Sequence, residues 1–95
     1  MELKRDLLNN DLRVILQIFE VSNKNKEQMN LSKLLDYFEG RIDEIVISQS
    51  LDRLFDDGIL SAEYRKIGKK WSRVFFITGE AESFVEDIYN KTVNN

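Results

Sequence analysis

The sequence contains neither cysteine nor histidine. Their absence removes disulfides, thiolate nucleophiles, the commonest zinc ligands and the usual general base near neutral pH. Carboxylates remain, but Asp43 with Glu44, and Asp56 with Asp57, are chain neighbours whose side chains do not face one another. They lie among charged residues rather than in a pocket that would perturb them. Enzyme chemistry is therefore not expected, and no metal or cofactor is implied. Also missing is any apolar run near the roughly 20 residues a membrane-spanning helix needs. Residues 1–10 alternate charge with leucine instead of forming the apolar centre of a signal peptide, so the expected compartment is the cytoplasm. No internal repeat or low-complexity segment is visible.

What is present suits one domain over residues 1–95. With 42% hydrophobic and 33% charged residues, the chain can offset its ordering entropy through one core and keep a solvated surface. Leu12, Ile15, Leu16 and Phe19 recur at helical spacing, with Asn10 or Asp11 placed to cap them. Leu3, Leu7 and Leu8 share that period upstream, as a short preceding helix or a continuous extension. Residues 22–28 are polar and read as a solvated loop. Asn30 can cap a second helix with Leu31, Leu34, Leu35 and Phe38 on its apolar side, which Gly40 breaks. A third helix begins near Asp43, whose charge suits a helix N-terminus. It buries Ile47, Leu51, Leu54 and Phe55, and it stops at Gly58 through the left-handed conformation other residues resist. Two helices joined by a tight turn over about 30–57, the second amphipathic, form a helix-turn-helix.

After Gly58 the period changes from helical to alternating. Residues 59–65 and 71–77 read as strands, and Lys66, Ile67, Gly68, Lys69 and Lys70 as the hairpin loop between them. Trp71, Arg73, Phe75 and Ile77 fall on one face of the second strand, and Ser72, Val74 and Phe76 on the other. Both faces carry apolar groups, so part of the hairpin should be covered on each side. Thr78 can cap a last helix over about 79–93, with Glu80 and Glu82 in its first turn and an apolar stripe of Ala81, Phe84, Val85, Ile88 and Tyr89. The expected class is mainly α with a small β-hairpin wing (about 59–78), a winged helix-turn-helix.

The run from Ile47 through Ser48, Gln49, Leu51, Leu54 and Gly58 to Leu60 resembles the recognition-helix-to-wing junction of winged helix-turn-helix transcription regulators of the MarR and PadR kind. The closing run from Ile77 to Phe84 looks like the wing-to-last-helix junction of small archaeal members. That resemblance implies a DNA-binding transcription regulator, with one helix in the major groove of double-stranded DNA and the wing on its phosphate backbone. Groove-facing positions then fall on Glu44, Ile45, Val46, Ser48, Gln49 and, further along, Asp52 or Arg53. Ser48, Gln49 and Arg53 carry groups that match base edges, whereas Glu44, Ile45 and Val46 depart from what a phosphate-lined groove favours.

Charge patterning points the other way. Arg65, Lys66, Lys69, Lys70 and Arg73 fall in a stretch with no acidic residue, although the whole chain carries a formal charge of −3. The cationic patch sits where the resemblance implies backbone contacts. Tyr64 and Trp71 read as cross-strand packing or as stacking groups for a nucleotide or partner. A homodimer on a two-half-site operator is expected, with Ile88, Tyr89, Val93 and the N-terminal leucines as interface candidates. The competing class is a protein-interaction module that docks a protein partner through Ile45 and Val46.

Overall fold

The computed structural model describes residues 7–93. α1 (Asn9–Ile18) runs directly into a π-helical turn (Phe19–Lys24), followed by α2 (Leu31–Tyr37) and α3 (Glu44–Asp56). β1 (Leu60–Ile67), β2 (Lys70–Ile77) and α4 (Gly79–Val93) complete the chain. The strands pair antiparallel from Leu60 opposite Ile77 to Ile67 opposite Lys70. The molecule is thus mainly helical with one hairpin, the winged helix-turn-helix that the periodicity predicts. Among the described residues no helix is long and apolar enough to cross a membrane. Leu3, and the side chain of Val93, lie outside the described residues.

Local chemistry accounts for most helix boundaries. Asn30 caps α2 as expected, its side-chain oxygen accepting from the Lys33 N–H at 2.8 Å. Asp43 is the N-cap position of α3, with Glu44 in the first turn, so both charges complement the positive end of the helix dipole. At the other end Gly58 has φ +75°. Its N–H reaches the Phe55 carbonyl at 3.1 Å, and the Ile59 N–H reaches Leu54, also at 3.1 Å. This paired closure, a Schellman motif, satisfies carbonyls the helix would leave open and points the chain into β1.

Four sequence expectations are corrected. The N-cap position of α1 is Leu8, and Asp11 acts from inside the first turn, accepting from the Leu8 N–H at 3.4 Å. Residues 22–24 belong to the π-helical turn rather than a solvated loop. There Asn23 imitates a strand partner. Its amide donates to the Ile77 carbonyl at 3.1 Å and accepts from the Ile77 N–H at 3.0 Å. The hairpin loop shrinks to Gly68 and Lys69, with Gly68 at φ +65° in the first central position, as a type II′ turn requires. Thr78 uses its hydroxyl to donate to the Gly58 carbonyl at 2.8 Å, tying the end of the hairpin to the end of α3 instead of capping α4.

One core joins all the elements. Val14, Ile15 and Ile18 of α1, Leu34 of α2, Ile47, Leu51 and Leu54 of α3, Phe75 and Ile77 of β2, and Ala81, Val85 and Tyr89 of α4 belong to a single buried cluster. α1 touches α3, α4 and β2, so its buried face is wider than the stripe read from sequence and includes Val14 and Ile18, while Leu12 and Leu16 are only half-buried. Leu31 is exposed. The chain just before α2 runs along β2, where Asn30 bridges Val74 and the Phe75 N–H donates to the Met29 carbonyl at 2.7 Å. Val74 on one face and Phe75 and Ile77 on the other are buried, so the root of the hairpin is covered on both sides, as expected.

Candidate nucleic-acid interface

α3 divides sharply into two faces. Ile47, Ser50, Leu51 and Leu54 are buried, whereas Glu44, Ile45, Ser48, Gln49 and Asp52 are exposed. The exposed set recurs at intervals that stack along one side of a helix. Ser48 and Gln49 therefore present hydroxyl and amide groups outward. Ile45 is 72% exposed, and Val46 is half-buried against the core. The charges on this face, Glu44 and Asp52, are both negative.

Arg53 is turned away from that face. Its guanidinium donates to Asp11 at 2.8 Å and 3.3 Å and to the Ser50 hydroxyl at 3.1 Å. The Asp11 side chain is fully buried and that of Arg53 is 33% exposed. Hydrogen bonding to Asp11 holds the guanidinium above its ordinary pKa, and the nearby charges of Asp11 and Asp57 add to this against the opposing effect of burial. Arg53 is thus a structural cation that brings the start of α1 to the last turn of α3. The expectation that it faces bases meets a guanidinium already committed. Ser50, absent from the predicted core, is buried because it completes this ion pair.

The wing carries the opposite charge. Lys66, Lys69 and Lys70 are exposed and form no ion pair among the described residues. Arg65 pairs with Glu63, two positions earlier, a partner outside the acid-free stretch read from sequence. The Arg73 guanidinium lies 4.8 Å from the Phe55 ring centre and 5.5 Å from that of Phe75, which anchors it by cation–π attraction at the junction of α3 and the hairpin. Tyr64 and Trp71 are 70% and 68% exposed, so hairpin packing does not account for their rings. The predicted cations thus separate into free Lys66, Lys69 and Lys70 at or beside the turn, and Arg65 and Arg73, which are engaged within the protein.

The candidate dimer contacts are altered too. Tyr89 is buried, its ring tilted against that of Phe19 with ring centres 5.3 Å apart. Its hydroxyl donates to Glu20 at 3.1 Å and accepts from Lys24 at 3.3 Å. It is spent within the monomer. Ile88 and Leu7 are half-buried, and Leu8 is exposed.

No family model and no curated protein matches the chain. Solved structures do. A point mutant of ZitR from Lactococcus lactis is similar with a TM-score of 0.70 at 11% identity, over 99% of this chain and 60% of that one. A PadR family transcription regulator from Clostridium difficile has a TM-score of 0.63 at 16% identity, over 85% of this chain and 83% of that one. The circadian clock associated protein Pex from Anabaena has a TM-score of 0.68 at 14% identity, over 92% of this chain and 79% of that one. The chain is a winged helix by this likeness of fold, and it spans about three fifths of the length of ZitR.

Proposed function

We propose that this winged helix is a DNA-binding transcription regulator, with α3 entering the major groove and the wing lying on the phosphate backbone. The observation that carries the reading is the free lysine cluster of Lys66, Lys69 and Lys70 at the hairpin tip, beside a helix-turn-helix, on a chain that is otherwise acidic. Cations displaced from an acidic body concentrate attraction for a polyanion at one end of the molecule. Ser48 and Gln49 are the side chains that read base edges. Arg65 and Arg73 add to the field of the wing while their own contacts hold them. The chain acts as a homodimer, for which exposed Leu8 and half-buried Ile88 are the contact candidates. A PadR family regulator among the fold neighbours supports the reading by analogy of architecture alone.

A second reading has its own observation. Ile45, 72% exposed between Glu44 and half-buried Val46, is suited to a protein groove rather than to phosphates. The deciding experiment is capture of genomic DNA fragments by the purified protein, followed by sequencing. Enrichment of one motif, lost on Gln49→Ala, supports the regulator. Fragments no different from input, together with a cellular protein captured by the wild type but not by Ile45→Asp, overturn it in favour of a protein-docking module.

A further inference from the structure

The strand register separates the hairpin beyond the core into two unlike faces. Tyr64 stands opposite Arg73, and Lys66 opposite Trp71, so those four side chains share one face. The other face holds Glu63 and its partner Arg65, with Ile67, Lys70 and Ser72. Only the first face combines free positive charge with uncovered aromatic rings.

The rings are not used by the fold. Each stands opposite a cation rather than an apolar side chain, so the usual stabilising aromatic pairing across strands is not made. Arg73, which could have covered Tyr64, lies instead over Phe55 and Phe75. Among the described residues neither Tyr64 nor Trp71 stacks on another ring or holds a cation. Large aromatics left in water at the end of a projecting hairpin are costly for solubility, and an intact duplex offers them no base face, since its bases are stacked on one another.

We propose that this face of the wing, through Tyr64 and Trp71 with Lys66 and Lys69, binds single-stranded DNA next to the duplex, stacking successive unpaired bases on the two rings. Register makes Tyr64 and Trp71 diagonal neighbours, which in an antiparallel pair lie about 7–8 Å apart. That is about two base thicknesses of ~3.4 Å, enough for a base on each ring without overlap. Lys66 lies on the same face, opposite Trp71 and two positions along β1 from Tyr64, and Lys69 at the turn extends the cationic edge that a strand's phosphates would follow. Cation-flanked aromatic platforms of this kind hold unpaired strands with little regard to sequence, because every base has a π face. The acidity of the α3 face is then less of an obstacle, since part of the affinity comes from the wing. The inference rests on the DNA-binding reading and adds to it the form of DNA preferred.

Trp71 is the sole tryptophan of the chain, so its fluorescence reports stacking directly. The test titrates the full chain with a blunt duplex, the same duplex carrying a single-stranded thymidine tail, and the thymidine strand alone. It follows Trp71 emission and the anisotropy of labelled DNA. The tailed duplex should quench Trp71 and bind about 5- to 100-fold more tightly than the blunt one. Trp71→Ala should remove that advantage, and Trp71→Phe should retain most of it. Tyr64→Ala keeps the fluorophore and should weaken tail binding with its own loss of quenching. Equal binding of blunt and tailed duplexes with unchanged Trp71 emission overturns the stacking inference and leaves the duplex reading standing. Tail binding without blunt-duplex binding supports stacking and overturns the duplex reading, and failure to bind any of the three overturns both.

Discussion

α3 and the hairpin are adjacent in the chain and treat their side chains in opposite ways. α3 begins at Asp43, whose charge complements the helix dipole, and is closed at Gly58, and its one basic side chain in the last turn is drawn inward to buried Asp11. The hairpin is fixed only at its root, by Asn23, Met29 and Thr78, and it carries its free lysines and two aromatic rings outward. A cation therefore does not mark a binding residue by type or by position on a helix. What separates Arg53 from Lys69 is whether a carboxylate lies within reach, and that depends on tertiary contacts.

Substitutions can break this contrast, beginning with the largest effect. Leu54→Ala empties a fully buried site on α3 and should cost about 2–5 kcal/mol, measured by urea denaturation. Asp11→Ala leaves Arg53 without its carboxylate. Because Arg53 retains some water contact, the expected loss is about 1.5–3 kcal/mol, and Arg53→Ala, which strands the fully buried Asp11 carboxylate, should cost at least as much. An Asp11→Ala protein as stable as wild type would return Arg53 to the surface. Gly58→Ala meets no neighbouring atom within 4 Å, so its cost is purely conformational, about 1–2 kcal/mol for a side chain at φ +75°, read as a lower melting temperature. The smallest stability effect belongs to the wing. Lys69→Ala combined with Lys70→Ala should alter stability by less than about 0.5 kcal/mol. If both lysines contact phosphates, the same pair should flatten the logarithmic salt dependence of duplex binding by about 0.9 per lost contact. Marked destabilisation by the wing pair, or an unchanged salt slope, would erase the distinction between the two regions.

Features set by neighbours in sequence were legible. The Asn30 cap, the α3 core positions Ile47, Leu51 and Leu54, and the Gly58 stop follow from local hydrogen bonding and helical period, and all stand in the structure. Features set by distant partners were not. Arg53 meets Asp11 across 42 positions, and Asn23 meets Ile77 across 54. Alternation gave the faces of β2 correctly but carries no information on how far a hairpin extends past its support, so Tyr64 and Trp71 read first as cross-strand packing, although both rings are exposed. Spacing also left open whether Tyr89 would face a twin subunit. Its burial follows from the Phe19, Glu20 and Lys24 contacts of the π-helical turn, an element with no clear signature in composition.

The Asn23 clasp has a kinetic side. It closes a loop more than half the length of the chain, a contact whose reward arrives only after the entropy of that closure has been met. Helix formation and the α2–α3 turn need no such closure, so the root of the wing is expected to set late. Asn23→Ala should then accelerate unfolding while leaving the folding rate nearly unchanged, the signature in stopped-flow traces of a contact made after the barrier. A slowed folding limb would instead put the clasp in the nucleus. On the late-setting course, the hairpin can loosen from its base while the helices stay assembled, so the Asn23 amide shares with the Met29 and Thr78 contacts the control of how long the wing holds one orientation against the body.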